Sequence, residues 1–226
     1  MCGRFSLAQS EDAIALTFQL ADVPPLSPRY NIAPTQSVST VMQTSGDNSR
    51  LLKSLHWGLI PSWAKDPKLG AKMINARAET VQEKPAFRSA FKHRRCLVLA
   101  DGFYEWQQQN GKKQPYYFRL EDGKPFAFAG LWEHWQSPDG EEIESCTILT
   151  TEANDILRPI HDRMPVIMEP KNYDQWLDPR QKPELLKLLV HPDRALEMTA
   201  YPVSTKVNNP KHDAADCIAA IEIDQS

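Results

Sequence analysis

Apolar positions along the chain fall mostly in short runs of strand length, and few recur with helical spacing. The runs predict strands at 37–43, 51–58, 96–106, 116–120, 126–132, 146–151, 166–168, 198–203 and 217–223. Three dipeptides of the hairpin type, Asn110-Gly111, Asp122-Gly123 and Asp139-Gly140, punctuate the middle of the chain and predict an antiparallel meander there. Helical signals are fewer. Ser10 is placed to cap a helix over 11–19, with Glu11 and Asp12 in its first turn. Residues 85–93 read as a second helix, with Phe87 and Phe91 at i, i+4. Segments 170–177 and 183–190 each begin on a proline suited to the first helical position. The helices interleave irregularly with the strands and no βαβ rhythm emerges. The fold class is therefore α+β with mainly antiparallel sheets. There is no internal repeat and no linker, so one domain is expected over 1–226. The segment 43–50 and the last few residues are the least ordered candidates.

Composition narrows the class further. Hydrophobic residues make up 41% and charged residues 24% of 226 residues, which excludes a disordered chain and supports a real core. No stretch approaches the ~20 apolar residues that span a bilayer, and the N-terminus reaches acids before any sustained apolar run. A cytoplasmic protein with no membrane association is expected. The net charge of −3 excludes a protein that lives by bulk phosphate attraction. Any nucleic-acid role must rest on a local basic groove or on chemistry.

Four cysteines stand at positions 2, 96, 146 and 217, with no C-x-x-C pair and no zinc spacing, so no metal and no disulfide are expected. Cys96, Cys146 and Cys217 lie in apolar runs and read as small core hydrophobes. Cys2 differs. Removal of Met1 would give it a free α-amine beside its thiol, both with ordinary pKa values near 8. Such a 1,2-aminothiol condenses with an aldehyde to an imine, and the thiol then closes a thiazolidine. It can also serve as an N-terminal nucleophile with its own amine as base.

Three further segments carry chemistry. Residues 73–80, Met-Ile-Asn-Ala-Arg-Ala-Glu-Thr, mix amide, cation and acid. Residues 101–106, Asp-Gly-Phe-Tyr-Glu-Trp, follow the buried run Cys-Leu-Val-Leu-Ala and hold a carboxylate between two aromatics, the setting of a raised-pKa acid/base or of an ordinary surface glutamate. Residues 160–165, Ile-His-Asp-Arg-Met-Pro, set an imidazole beside an acid and a cation. The other histidines, at 56, 93, 134, 191 and 212, are read as structural.

Together with Met-Cys-Gly-Arg-Phe at the start, Arg29-Tyr30-Asn31-Ile32-Ala33-Pro34-Thr35 and Trp57-Gly58-Leu59-Ile60-Pro61, these segments stand in the order seen in the SRAP family, whose name denotes SOS-response-associated peptidase. The sequence resembles bacterial members, and the vertebrate 5-hydroxymethylcytosine-binding members, over nearly its full length. The resemblance implies a compact α+β domain on a barrel-like antiparallel core. It implies a sensor of abasic sites in single-stranded DNA, with Cys2 exposed by self-processing and joined to the ring-opened sugar through a thiazolidine. It assigns the active-site asparagine to Asn75, the glutamate to Glu105 and the histidine to His161.

These roles are chemically coherent. His161 can donate a proton to open the hemiacetal sugar, Glu105 can shuttle protons on the amine side, and Asn75 can hold the sugar or the amine without titrating. Arg4, Arg77 and Arg163 would meet flanking phosphates. Trp106, Trp63 and Phe103 would stack against bases. No cofactor is implied, a monomer is expected, and replication or repair machinery joins the partner list. The rival chemistry is an N-terminal-nucleophile glutamine amidotransferase, whose chains also begin Met-Cys-Gly. Here the usual Ile continuation and an Asn-Gly-Glu motif are missing.

Overall fold

The computed structural model describes residues 2–44, 49–109, 111–190 and 197–222. In chain order its elements are β1 (Phe5–Leu7), α1 (Glu11–Phe18), β2 (Arg29–Ile32), β3 (Ser37–Gln43), β4 (Arg50–Trp57), β5 (Asn75–Arg77), α2 (Arg88–His93), β6 (Arg95–Ala100), β7 (Gly102–Gln109), β8 (Lys112–Leu120), β9 (Phe126–Gln136), β10 (Glu142–Glu152), β11 (Arg163–Pro165), β12 (Ile167–Met168), α3 (Tyr173–Leu177), α4 (Pro183–Leu189) and β13 (Met198–Pro202), with short 3-10 turns between them. Among the described residues no helix is long and apolar enough to cross a membrane.

Five strands close a barrel in the order β10-β4-β3-β6-β9, with β9 returning to β10. Its ladders are antiparallel except between β10 and β4, where Ser145 and Cys146 run parallel beside His56 and Trp57. Closure removes the unpaired edges that would otherwise invite association. The short β5 and β11 add to β10, and β12 adds to β9. A second, wholly antiparallel sheet runs β13-β8-β7-β1-β2. Aromatic rings join the two: Phe5 meets Trp57 and Phe128 edge-on at 5.1 and 5.6 Å, and Phe103 stacks on Phe118 while its edge meets Phe128. Such pairs add about 0.5–1.5 kcal/mol each beyond their burial.

The fold class read from the sequence is the observed one. Ser10 caps α1 as expected, accepting from the Ala13 N–H, and the helix stops at Gln19, which takes the left-handed conformation of a C-cap. Cys96, Cys146 and Cys217 are fully buried.

Several boundaries need correction. The run at 96–106 is two strands in different sheets. The chain breaks at Asp101 because its carboxylate accepts from Ser6 Oγ at 2.5 Å and from the Ala8 N–H at 2.7 Å, pulling the second strand onto β1. Gly102 allows this: a Cβ there would lie 2.1 Å from the Tyr117 ring, whose hydroxyl bonds Ser6 Oγ. The meander is also interrupted. Asp122-Gly123 links β8 to β9, but these strands belong to different sheets; Asp139-Gly140 joins the paired β9 and β10, and Gly111 lies between the paired Gln109 and Lys112, with Asn110 outside the described residues.

Residues 217–223 are not a strand. Ala215–Ile218 form a 3-10 turn, with one isolated bridge from Ala220 to Val203, and Ile223 lies outside the described residues. Of residues 166–168 only Ile167 and Met168 form a strand, β12, with Val166 between it and β11, and 170–177 opens as a 3-10 turn before α3. Of the least ordered candidates, Gln43 and Arg50 close the β3–β4 ladder as partners, whereas 45–48 and 223–226 lie outside the described residues.

Candidate active site

The site is built where β1 reaches the barrel mouth. Phe5 pairs with Phe103 and Ser6 with Gly102, and the Tyr104 N–H donates to Arg4 O at 3.0 Å. Continuing this antiparallel register sets Gly3 level with Glu105 and brings Cys2 beside it. From the barrel side, Asn75 at the start of β5 donates through Nδ2 to Cys2 O at 2.8 Å. Its Oδ1 is buried with no hydrogen-bond partner among the described residues. Two sheets thus grip one end of the chain.

Burial sets the electrostatics. Cys2 is fully buried and its thiol donates weakly to Arg4 O. Desolvation pushes that thiol far up, and the nearby Glu105 carboxylate raises it further. Glu105 is 3% exposed, so it is no surface glutamate. Burial raises its carboxyl above the usual range, while the His161 cation pulls it down. These mutual effects place Cys2, Glu105 and His161 in one cluster with Asn75.

His161 ends a compact turn over 153–162. The turn is closed at its base by the Ala153 N–H to Asp162 O and stiffened by Asn154 Oδ1 accepting from the Leu157 N–H. The Arg163 N–H donates to His161 Nδ1 at 2.9 Å. A backbone N–H can only donate, so the neutral ring carries its proton on Nε2. Asp162 Oδ1 lies 3.0 Å from the same Nδ1 and is mostly exposed, ready to receive an Nδ1–H once the ring is protonated. Gln107, two residues beyond Glu105 and so on the same strand face, donates to Pro159 O at 3.0 Å and ties the turn to β7. The sequence reading passed over Gln107, although the period-two pattern from Glu105 pointed to it.

The cations around this centre divide. Arg4 donates to Asn31 Oδ1 and Val207 O, both at 2.6 Å, and lies 6.0 Å from the Trp106 ring. Trp106 Nε1 donates to Asn208 Oδ1. Arg163 grips Glu79 with both terminal nitrogens, at 2.7 and 2.9 Å, and donates to Thr150 O. Burial would raise the Glu79 carboxyl, but Arg163 holds it below its ordinary value. Arg77 is exposed, and Trp63 is 60% exposed. Phe103 is fully buried in the core, so it cannot stack on a base. Arg77 and Arg163 share an open cleft of about 410 Å³ with Glu152, Asp162 and Arg158, the last not singled out from the sequence.

Among the described residues one further group has metal-ligating side chains, His212, Asp216 and Cys217, within 4.8 Å of one another. Its members already have protein partners. His212 Nε2 bonds Asp216 Oδ1 at 2.7 Å, Lys206 holds Asp216 Oδ2 at 2.8 Å, and Cys217 Sγ donates to His212 O. His212 thus pairs with Asp216, four residues on, rather than with its immediate neighbours Lys211 and Asp213.

The sequence profile of the family described as SOS response associated peptidase (SRAP) matches residues 1–210. The chain is 46% identical over 223 residues to the abasic site processing protein YoqW of Bacillus subtilis, covering 96% of this chain and 99% of that one. It is 39% identical to the abasic site processing protein HMCES of Xenopus tropicalis, over 88% of this chain and 68% of that one. A crystal structure of a protein from Bacteroides thetaiotaomicron superposes with a TM-score of 0.84 at 25% identity, over 98% of this chain and all of that one. The chain belongs to the SRAP family.

Proposed function

We propose that this protein processes abasic sites, as its relatives' names say of them, by covalent capture of the ring-opened sugar in single-stranded DNA through Cys2. The observation that carries this is the convergence of Cys2, Asn75, Glu105 and His161 from four separate segments into one cluster, with Cys2 and Glu105 buried and Asn75 and His161 partly exposed. Hydrolysis of the Met1–Cys2 peptide bond frees the α-amine, and self-peptidase action accounts for it; Met1 lies outside the described residues. His161, protonated on both nitrogens with Asp162 beside Nδ1, gives its Nε2 proton to the sugar ring oxygen as the C1′–O4′ bond breaks, and water takes the C1′ hydroxyl proton as the aldehyde forms. The amine adds to the C1′ aldehyde, the carbinolamine loses water, and an imine forms.

Burial keeps the thiol protonated, so the amine reacts first and the thiol second. Glu105, its proton affinity raised by burial, donates to the leaving hydroxyl and then takes the thiol proton as sulfur adds to the imine carbon. That proton passes to the nitrogen. One C–S bond forms, the C=N bond becomes single, and no oxidant is needed. The unpartnered Asn75 Oδ1 accepts from the amine or a sugar hydroxyl. Before ring closure the same imine permits β-elimination, a strand-cleaving lyase step.

The test mixes mature protein with abasic single-stranded DNA and resolves the products on a denaturing gel. Wild type gives a band that survives denaturant, and Cys2→Ala gives none while keeping its circular dichroism. A long-lived Cys2→Ala adduct without added reductant would refute the thiazolidine. Release of ammonia from glutamine would instead assign the amidotransferase chemistry.

A further inference from the structure

Residues 84–95 hold six basic side chains and no acid, in a chain of net charge −3. Two of the six serve the protein itself. Buried Arg95 donates to the carbonyls of Phe91, Lys92, Trp176 and Asp178, and Arg94 pairs with Glu133 at 2.6 Å. This closes the C-terminal end of α2 and holds Ala90 and Phe91 inward. Arg88, Ser89, Lys92 and His93 are left exposed, and with Gln82 they line a cleft of about 270 Å³. Arg88 and Lys92 sit at i and i+4, where like charges oppose the helix. Neither has an ion-pair partner among the described residues. The repulsion is built in and unrelieved, and the cleft has no carboxylate: its lining offers the guanidinium and ammonium cations with hydroxyl, amide and imidazole donors beside them.

We infer that this cleft is a second contact for the phosphate backbone of a nucleic-acid strand, separate from the centre at Cys2, with whose surroundings it shares no lining residue. The inference rests on the reading of the protein as one that acts on DNA. A phosphodiester takes both cations and the Ser89 and Gln82 donors together. A protein partner fits less well, because the lining has no apolar anchor around which an interface core could form.

The experiment measures binding of a single-stranded oligonucleotide without an abasic site across roughly 50–200 mM salt, for wild type and for Arg88→Gln/Lys92→Gln. Each neutralised phosphate on a single strand adds about 0.7 to the slope of log affinity against log salt, so the double variant should lose about 1.4. Its thermal unfolding and its adduct formation with a small sugar-phosphate aldehyde should match wild type, and Arg88→Lys/Lys92→Arg should keep the slope. An unchanged slope and affinity would overturn the cleft, even if abasic DNA were captured normally. A lost slope in a protein that forms no adduct would keep the cleft and overturn the covalent function instead. Displacement of the oligonucleotide by an acidic peptide of equal charge, with equal strength, would overturn the assignment to nucleic acid.

Discussion

Around Cys2 the protein withdraws ionisable groups from water, whereas along the cleft of Arg77, Arg158 and Arg163 it leaves them in it or ties them to one another. Glu105 is 3% exposed and displaced in its titration; Glu79 is half exposed and neutralised by Arg163. The same residue type therefore serves opposite ends. In the centre, desolvation raises the proton affinity of a carboxyl, which suits it to give and take a proton. On the rim, a carboxylate holds an arginine in place, and both remain subject to screening. On the proposed reading, reactivity belongs to the centre, and only adjustable, salt-sensitive affinity belongs to the rim.

The sharpest way to break this contrast is to change the centre without changing its shape. Glu105→Gln should slow single-turnover capture by about 10²–10⁴-fold, the usual contribution of a positioned acid–base group. Rates at the wild-type level would move proton transfer elsewhere. His161→Ala should lose as much on a closed abasic sugar and far less on an analogue held as the free aldehyde, whereas the Glu105→Gln loss should persist on both. Equal losses for both variants on both substrates would merge their roles.

The rim should respond more weakly and through salt. Arg77→Ala should lower DNA affinity less than tenfold at moderate salt, with a shallower salt dependence and an unchanged capture rate at saturation. Arg163→Ala should also release Glu79 and Thr150 O, so it should lower the melting temperature where Arg77→Ala does not. Matching melts for the two would show that the Glu79 pair contributes nothing to stability.

The smallest effect sharpens the comparison through stability. A raised folded-state pKa means that the contribution of Glu105 is fully present below its unfolded value, near pH 4, and is lost as pH rises through the folded value. Glu105→Gln should therefore melt higher than wild type at pH 7 and level with it at pH 4. The equivalent Glu79→Gln change has the opposite sign, since that carboxyl is held low: stability present near neutrality is lost as pH falls. Thermal melts at the two pH values decide both.

Much of the scaffold was legible because strand runs and caps are local signals. The run at 37–43 coincides with β3, and Ser10 caps α1 where its spacing from the first acids indicated. The misses were of another kind. β1, β2 and β5 have three or four residues each, too few to show a period, and exist because a neighbouring strand receives their hydrogen bonds. The break at Asp101 depends on Ser6 and Ala8, some 95 residues away in sequence.

The chemical identities of the centre were likewise present in the sequence, since only an N-terminal cysteine can offer amine and thiol on one carbon skeleton. The partners of Arg4 and Arg163 were not. By itself the sequence determined which functional groups exist, the α+β class and the place of Cys2 beside the first residue, because these follow from side-chain chemistry and short-range periodicity. The tertiary structure alone decided which carboxylate is desolvated, which nitrogen of His161 carries the proton and which cations stay open to a ligand. Those properties depend on what lies within a few ångströms in space, and here the neighbours come from segments separated by tens to hundreds of residues.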